Sequence, residues 1–367
     1  MPQANLDPLT DTHSKFFILN STGIAQVCAF IIVLSGTILV VSGNDAHLLT
    51  DRSATSKIIS DLLANEEYET ALQIADSVKS SDPDNPFGVL LIATVLNSRA
   101  IDFEDGEDDI KLEQACNEVE NLSLIYFTDK DSSLVYRFYM GTIEMYRMMV
   151  QVKRGSYFKA FKGIRRAGKL FDEAVKIDST FWDAYYGSGV FTYYRSSRAG
   201  ILRTLHLVSD DRMRGISYIQ EAADKGTITA LAAQNTLAWI AIEREDYEKS
   251  LAISSRLNRK YPDTRAFLWC KGNALRKMER WEEVIIVYNE LLKSVQSEQR
   301  NNYFNQLGCL HSIAQANTGL ENWAEVVENV NQAFALNLNS NVAKRKKADL
   351  NRLKKMKTEA IANLENN

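Results

Sequence analysis

Polar and apolar positions divide the chain into two unequal parts. From residue 16 to residue 44 nothing is charged, and residues 24–41 (IAQVCAFIIVLSGTILVV) hold eleven Ile, Val, Leu or Phe residues. That stretch is apolar on every face and about as long as a bilayer's hydrocarbon core is thick. Its eleven large apolar residues favour insertion by about 3–7 kcal/mol. The pattern predicts a tail at 1–15, a transmembrane anchor at 16–43 and a linker at 44–51. A cleaved signal peptide competes with this reading, because Val41-Ser42-Gly43 resembles a small-residue cleavage site. Against it, the apolar run is longer than a usual signal core and the leader is not strongly basic.

Orientation follows from few charges. Lys15 and the amino terminus flank the stretch on one side, Arg52 and Lys57 on the other, so the positive-inside balance is nearly even. A short tail before a signal-anchor favours a cytoplasmic tail. The expectation is therefore a single-pass membrane protein whose soluble domain lies on the non-cytoplasmic side, as in a bacterial periplasm.

Beyond residue 50 the apolar residues recur at helical spacing, and the pattern repeats every 34 residues. Ala238 and Gly272, Tyr247 and Trp281, Ser250 and Val284, and Leu257 and Leu291 are each offset by that period. Other copies carry Tyr68, Ala71 and Ala75, then Gly141 with Ala167 and Ala174, then Gly189, Gly215 and Ala222, and finally Ala314, Trp323 and Ala333. Small residues at the eighth, twentieth and twenty-seventh positions let two antiparallel helices approach closely. A single pair cannot bury its own apolar face, so the copies must stack. The prediction is an array of about seven helix pairs over 52–340, with inserts near 102–109 and 195–210. A capping helix over 341–367 would pack through Leu350, Leu353, Ile361 and Leu364.

The segments Ala184-Tyr185-Tyr186-Gly187-Ser188-Gly189 and Asp246-Tyr247-Glu248-Lys249-Ser250-Leu251 resemble the first helix of a tetratricopeptide repeat (TPR) and the turn into its second. The resemblance covers roughly four-fifths of the chain, departing from the family at the two inserts and at the mostly missing repeat-end prolines. It implies an all-α, right-handed helical solenoid behind an N-terminal transmembrane helix. It also implies a concave groove that binds a protein or peptide. By position, that groove would be lined by Tyr186, Val190, Tyr193, Asn235, Trp239, Trp269, Asn273, Arg276, Lys277, His311 and Gln315. Aromatic and Arg side chains suit such a surface because they bury much area at little rotamer cost; packing of the tryptophans into the core is the competing reading. The clamp by which chaperone-tail-binding TPR proteins hold a carboxylate is not expected, because Ser56 and Ser60 stand at its first positions and only Asn273 fits. Residues 200–226 further resemble a segment of the mitochondrial outer-membrane TPR family linked to inclusion-body clearance. Locally, Asp210 or Asp211 suffices there as a helix N-cap.

Charge refines the picture. A net charge of −4 gives no general affinity for nucleic acid. From Arg147 to Arg214 there are fourteen Lys or Arg against six Asp or Glu. Within that region Lys159, Lys162, Arg166 and Lys169 recur at helical spacing as a basic stripe, either a solvated face or a place for anionic lipid or an acidic partner. The run 102–109 (DFEDGEDD) is expected to be an exposed acidic loop; it does not fit a calcium-loop template. The four cysteines, Cys28, Cys116, Cys270 and Cys309, lie at no metal-ligand spacing and fall within apolar stretches. The four histidines are far apart, and no phosphate loop, nucleophile elbow or HExxH occurs. No enzyme, cofactor or metal is expected. The function indicated is a membrane-anchored scaffold or adaptor. The alternatives are a lipid-handling or membrane-organising protein using the basic stripe, and an enzyme subunit with an unrecognised site.

Overall fold

In the computed structural model, which describes residues 46–130, 133–197 and 209–366, apolar and amphipathic helices alternate. The expected anchor and most of the segment 195–210 lie outside those residues. Seven antiparallel pairs follow in order: α1 (Ala46–Ala64) with α2 (Tyr68–Ser81), α3 (Pro86–Phe103) with α4 (Glu107–Tyr126), α5 (Leu134–Lys153) with α6 (Tyr157–Ile177), α7 (Trp182–Ser197) with α8 (Arg212–Lys225), α9 (Ala230–Glu243) with α10 (Tyr247–Lys260), α11 (Arg265–Lys277) with α12 (Trp281–Ser297), and α13 (Phe304–Gly319) with α14 (Trp323–Phe334). Short α15 (Ser340–Arg345) and α16 (Lys347–Asn366) end the array. No strand occurs among the described residues. The molecule is an all-α, TPR-like solenoid of helix pairs.

Local chemistry makes each pair. Glu66, Glu104, Gly155, Glu245, Glu279 and Glu321 all adopt positive φ between a first helix and its second. This left-handed residue reverses the chain in a few positions. An aromatic residue then opens the second helix in five pairs, as Tyr68, Tyr157, Tyr247, Trp281 and Trp323. Caps fix several starts: Asn85 accepts from the Phe87 amide at 3.1 Å beside Pro86, and Ser133 accepts from Tyr136 at 3.2 Å. Of the two candidate caps of α8, Asp211 stands at the N-cap position but its carboxylate accepts from Ser209 and Arg195, while Asp210 Oδ1 accepts from the first helix amide, that of Arg212, at 3.3 Å. Close approach needs glycine where α7 meets α8. A Cβ on Gly189 would stand 2.8 Å from the Gly215 carbonyl oxygen.

Two expectations change. Residues 102–109 are not an insert: they are the end of α3, a three-residue turn with Glu104 and Gly106 at positive φ, and the first turn of α4. In α16 the packed face is Leu350, Leu353, Met356 and Ala360, while Ile361 and Leu364 are exposed. Packing against α13 and α14 selects that face, rotated from the one the large apolar residues alone suggest. Among the described residues α3 is long and apolar enough to cross a membrane, with a mean hydropathy of 1.3, yet most of it is enclosed by neighbouring helices. It is a core helix.

The array does not stay open. Tyr261 donates to Asp61 Oδ1 at 3.3 Å, the Arg265 amide to Glu66 Oε1 at 2.6 Å, and Thr264 to the Ala64 carbonyl. Asn302 donates to the Glu104 carbonyl at 2.8 Å and Asn305 to that of Asp102 at 2.6 Å. These partners are about 200 residues apart in sequence. The first two pairs thus meet the fifth, sixth and seventh, and the first helices are enclosed on the side that an open solenoid would expose.

Candidate functional site

Where the two ends meet, a cavity of about 240 Å³ remains. One wall is Leu63, Tyr68, Ser98 and Ile101 from α1–α3; the other is Asn235 and Trp239 of α9, Phe267, Trp269 and Asn273 of α11, and Phe304 of α13. The sequence places apolar and aromatic residues here because each first helix must fill the seam with its neighbours. Asn235 is an exception. It is 1% exposed, it lines the cavity, and among the described residues neither its amide oxygen nor its amide nitrogen has a hydrogen-bond partner. Asn273 is spoken for: it donates to the Trp269 carbonyl at 2.9 Å and accepts from Arg276 at 2.9 Å. Trp269 packs edge-on against Tyr288 with centroids 5.6 Å apart, which fixes its ring at the cavity wall. Arg345 and Lys346 both lie 4.1 Å from the centre of the Phe304 ring.

Beside the cavity sits an ionic clasp. Arg265, only 3% exposed, donates from Nε to Asp102 Oδ1 at 2.9 Å and contacts Glu66 Oε2 at 2.9 Å and Glu298 Oε1 at 2.7 Å. Arg300 contacts Asp105 at 2.7 Å and Asp108 at 2.9 Å, Arg345 contacts Glu104 at 2.6 Å, and Arg99 grips Asp108 with two bonds of 2.7 and 2.9 Å. Burial pushes the Glu66 carboxyl well above its ordinary range, and the neighbouring Asp102 charge adds to that; Arg265 offsets only part. Burial opposes the Arg265 charge, but Asp102 and Glu66 outweigh it and raise its pKa further. For Asp108, burial alone would raise the carboxyl, but hydrogen bonds and charge from Arg99, then Arg300, hold it below the usual value. Tyr68 donates to Asp102 at 3.0 Å, and burial followed by that carboxylate's charge raises its hydroxyl well above the ordinary value. The run 102–109 is therefore not an exposed acidic loop. Asp102, Glu104, Asp105 and Asp108 are sockets for arginines from the far end of the chain, and Asp109 takes Lys153.

The structure distributes the predicted groove residues unevenly. Asn235, Trp239, Trp269 and Asn273 line the cavity. Tyr186, Val190 and Tyr193 do not line an open groove; they are buried, with the Tyr186 hydroxyl 3.0 Å from Thr236 Oγ1 and the Tyr193 hydroxyl 3.2 Å from Glu243 Oε2. Adjacent first helices pack against these faces. His311 is likewise buried, and burial pulls its imidazole down to about 4. Arg276 donates to Gln315 at 3.1 Å, and Lys277 is exposed. The basic stripe lies on the outer face of α6, with Lys159, Lys162, Arg166 and Lys169 exposed. Cys116, Cys270 and Cys309 are buried free thiols, the first two pushed up to about 12 by burial. Among the described residues no group of three His, Cys, Asp or Glu side chains could hold a metal ion. Leu63, Tyr68, Ile101 and Phe304 escaped the sequence reading as site residues, because nothing in a 34-residue spacing links the first two repeats to the seventh.

No family model matches the sequence, and no curated protein does. Among solved structures the chain is similar to the one described as "Crystal Structure of the Yeast Tom70". The two are 14% identical with a TM-score of 0.43, over 97% of this chain and 76% of that one. A likeness that distant carries nothing about partner, ligand or activity.

Proposed function

We propose that this chain is a membrane-tethered TPR-type scaffold that holds a protein partner by taking one of the partner's side chains into the cavity between its closed ends. The observation that carries this reading is Asn235, buried in an aromatic-walled cavity with its amide unpaired. An unpaired buried amide costs about 1–3 kcal/mol, which a ligand offering a donor and an acceptor would recover. Trp239, Trp269 and Phe304 supply the flat apolar surface that interface hot spots use. The nearby carboxylates are engaged by Arg265 and Arg345, which suits binding better than acid–base chemistry. Residues 16–43 would tether the solenoid to a membrane on its non-cytoplasmic side, and tethering raises local concentration enough for modest affinity to suffice.

The test is affinity capture of the full chain from detergent-solubilised membranes, with Asn235→Leu and Trp269→Ala beside the native chain. Both variants should keep their helical circular dichroism and lose the captured protein. A photo-crosslinker at Asn273 should trap that protein, and one at the exposed Lys293 should not. Equal capture by all three chains, or crosslinking only from Lys293, would refute the cavity as the partner site.

A further inference from the structure

The outer face of α6 combines features that packing does not require. The helix buries Ala160, Ala167, Phe171 and Ala174, yet leaves Phe158 70% and Phe161 53% exposed. One turn apart, these rings lie side by side on the helix surface. Cations cover them: Lys162 Nζ stands 4.6 Å above the Phe158 ring and the Arg165 guanidinium 6.0 Å from that of Phe161. Arg166 reaches Glu144 at 3.3 Å and Lys169 reaches Glu173 at 3.7 Å. Lys159, Lys162, Arg165 and Lys176 form no ion pair among the described residues. An open trough of about 560 Å³ runs along this face, its walls carrying five α6 cations and two carboxylates, Asp172 and Glu173.

A single exposed aromatic residue is ordinary, and so is a solvated Lys. Two adjacent exposed rings beneath unpaired cations are a different case. An acidic protein surface would satisfy the charges but would need a fitted pocket for each ring. A bilayer interface accepts both without one: rings settle at the headgroup–acyl boundary and cations meet phosphates. We propose that α6 docks on an anionic phospholipid surface, with Phe158 and Phe161 entering the interface and Lys159, Lys162 and Arg165 binding headgroup phosphates. This surface is separate from the cavity, so it stands or falls apart from the partner reading. A tether through residues 16–43 would keep a bilayer within reach of the solenoid.

The experiment uses the full chain with Cys28→Ser and Ser156→Cys, an environment-sensitive dye on the new thiol beside α6, and reconstitution into vesicles. Vesicles of phosphatidylcholine alone are compared with vesicles of phosphatidylcholine and phosphatidylglycerol. On the anionic vesicles the emission should shift to the blue and iodide quenching should fall several-fold, and raised salt should reverse both. The combined Lys159→Glu, Lys162→Glu and Arg165→Glu variant should abolish the shift, and Phe158→Ser with Phe161→Ser should weaken it. All these positions are exposed, so circular dichroism should not change. Identical emission on the two vesicle types, or a shift that survives the triple charge reversal, would overturn the proposal. So would protection of the dye by a soluble acidic protein but not by anionic vesicles, which would assign the face to a protein.

Discussion

The acidic turn at 102–109 and the basic face of α6 look alike as sequence: each is a short run of one sign, and each invites a story about ions or partners. The fold treats them oppositely. Arg265, Arg300 and Arg345 converge on the turn from more than 160 residues away, with Arg99 and Lys153 closing in locally. To α6 the fold brings Glu144 and, at 3.9 Å, Glu120, both to Arg166; Lys169 pairs within the helix with Glu173, and the other cations are left to solvent. A like-charge run thus acquires its role from what tertiary packing delivers to it. The turn is spent on closing the ring; the helix face is free to meet something else.

Removing the central cation of the clasp is the strongest way to break this contrast. Arg265→Leu leaves Asp102, Glu66 and Glu298 without their shared partner, and should cost about 3–5 kcal/mol in chemical denaturation. Arg265→Lys should recover only part, because a point charge cannot reproduce the forked geometry. A loss under about 1 kcal/mol for the leucine variant would mean that the clasp does not hold the ends together.

Acid should act next. His311 titrates near 4 when folded, so between about 6.5 and 4 the unfolded chain takes up the proton first and stability falls with pH. The full loss from this residue is roughly 3 kcal/mol, and His311→Gln should flatten that part of the pH–stability curve. Asp108, held low by its arginines, loses stability in the same direction below its ordinary range. Glu66 has the opposite sign. Its folded carboxyl keeps a proton that the unfolded chain has released, so stability falls as pH rises above the ordinary glutamate value. Glu66→Gln should remove that slope, and an unchanged slope would count against the crowding of Glu66 and Asp102 around one cation.

Arg300 is a smaller lever, being partly exposed between Asp105 and Asp108. Arg300→Ala should destabilise by about 1–2 kcal/mol, measured the same way. The smallest effect belongs to α6. Lys159→Ala, Lys162→Ala and Arg165→Ala together should change stability by within about 0.5 kcal/mol. A larger loss would show that these cations are structural after all, and the contrast with the acidic turn would dissolve.

Much of the architecture is legible in the amino-acid sequence alone. Gly189, Ala238 and Gly272 mark where paired helices approach, and Tyr247, Trp281 and Trp323 mark where second helices begin. Positional reasoning also put Asn235, Trp239, Trp269 and Asn273 on the inner side. It misjudged Tyr186, Val190 and Tyr193, because repeat spacing cannot tell an inward position that faces an open groove from one that a neighbouring helix covers.

The division has a physical cause. Helix pairing is settled within about thirty residues, by small side chains, left-handed turn residues and apolar periodicity, so the chain itself determined the solenoid. Closure depends on how slight rotations between successive pairs accumulate over the whole array. Only the assembled structure brought Arg265 to Asp102 and Asn305 to the Asp102 carbonyl, and with them the cavity, the buried amide of Asn235 and the meaning of the acidic turn.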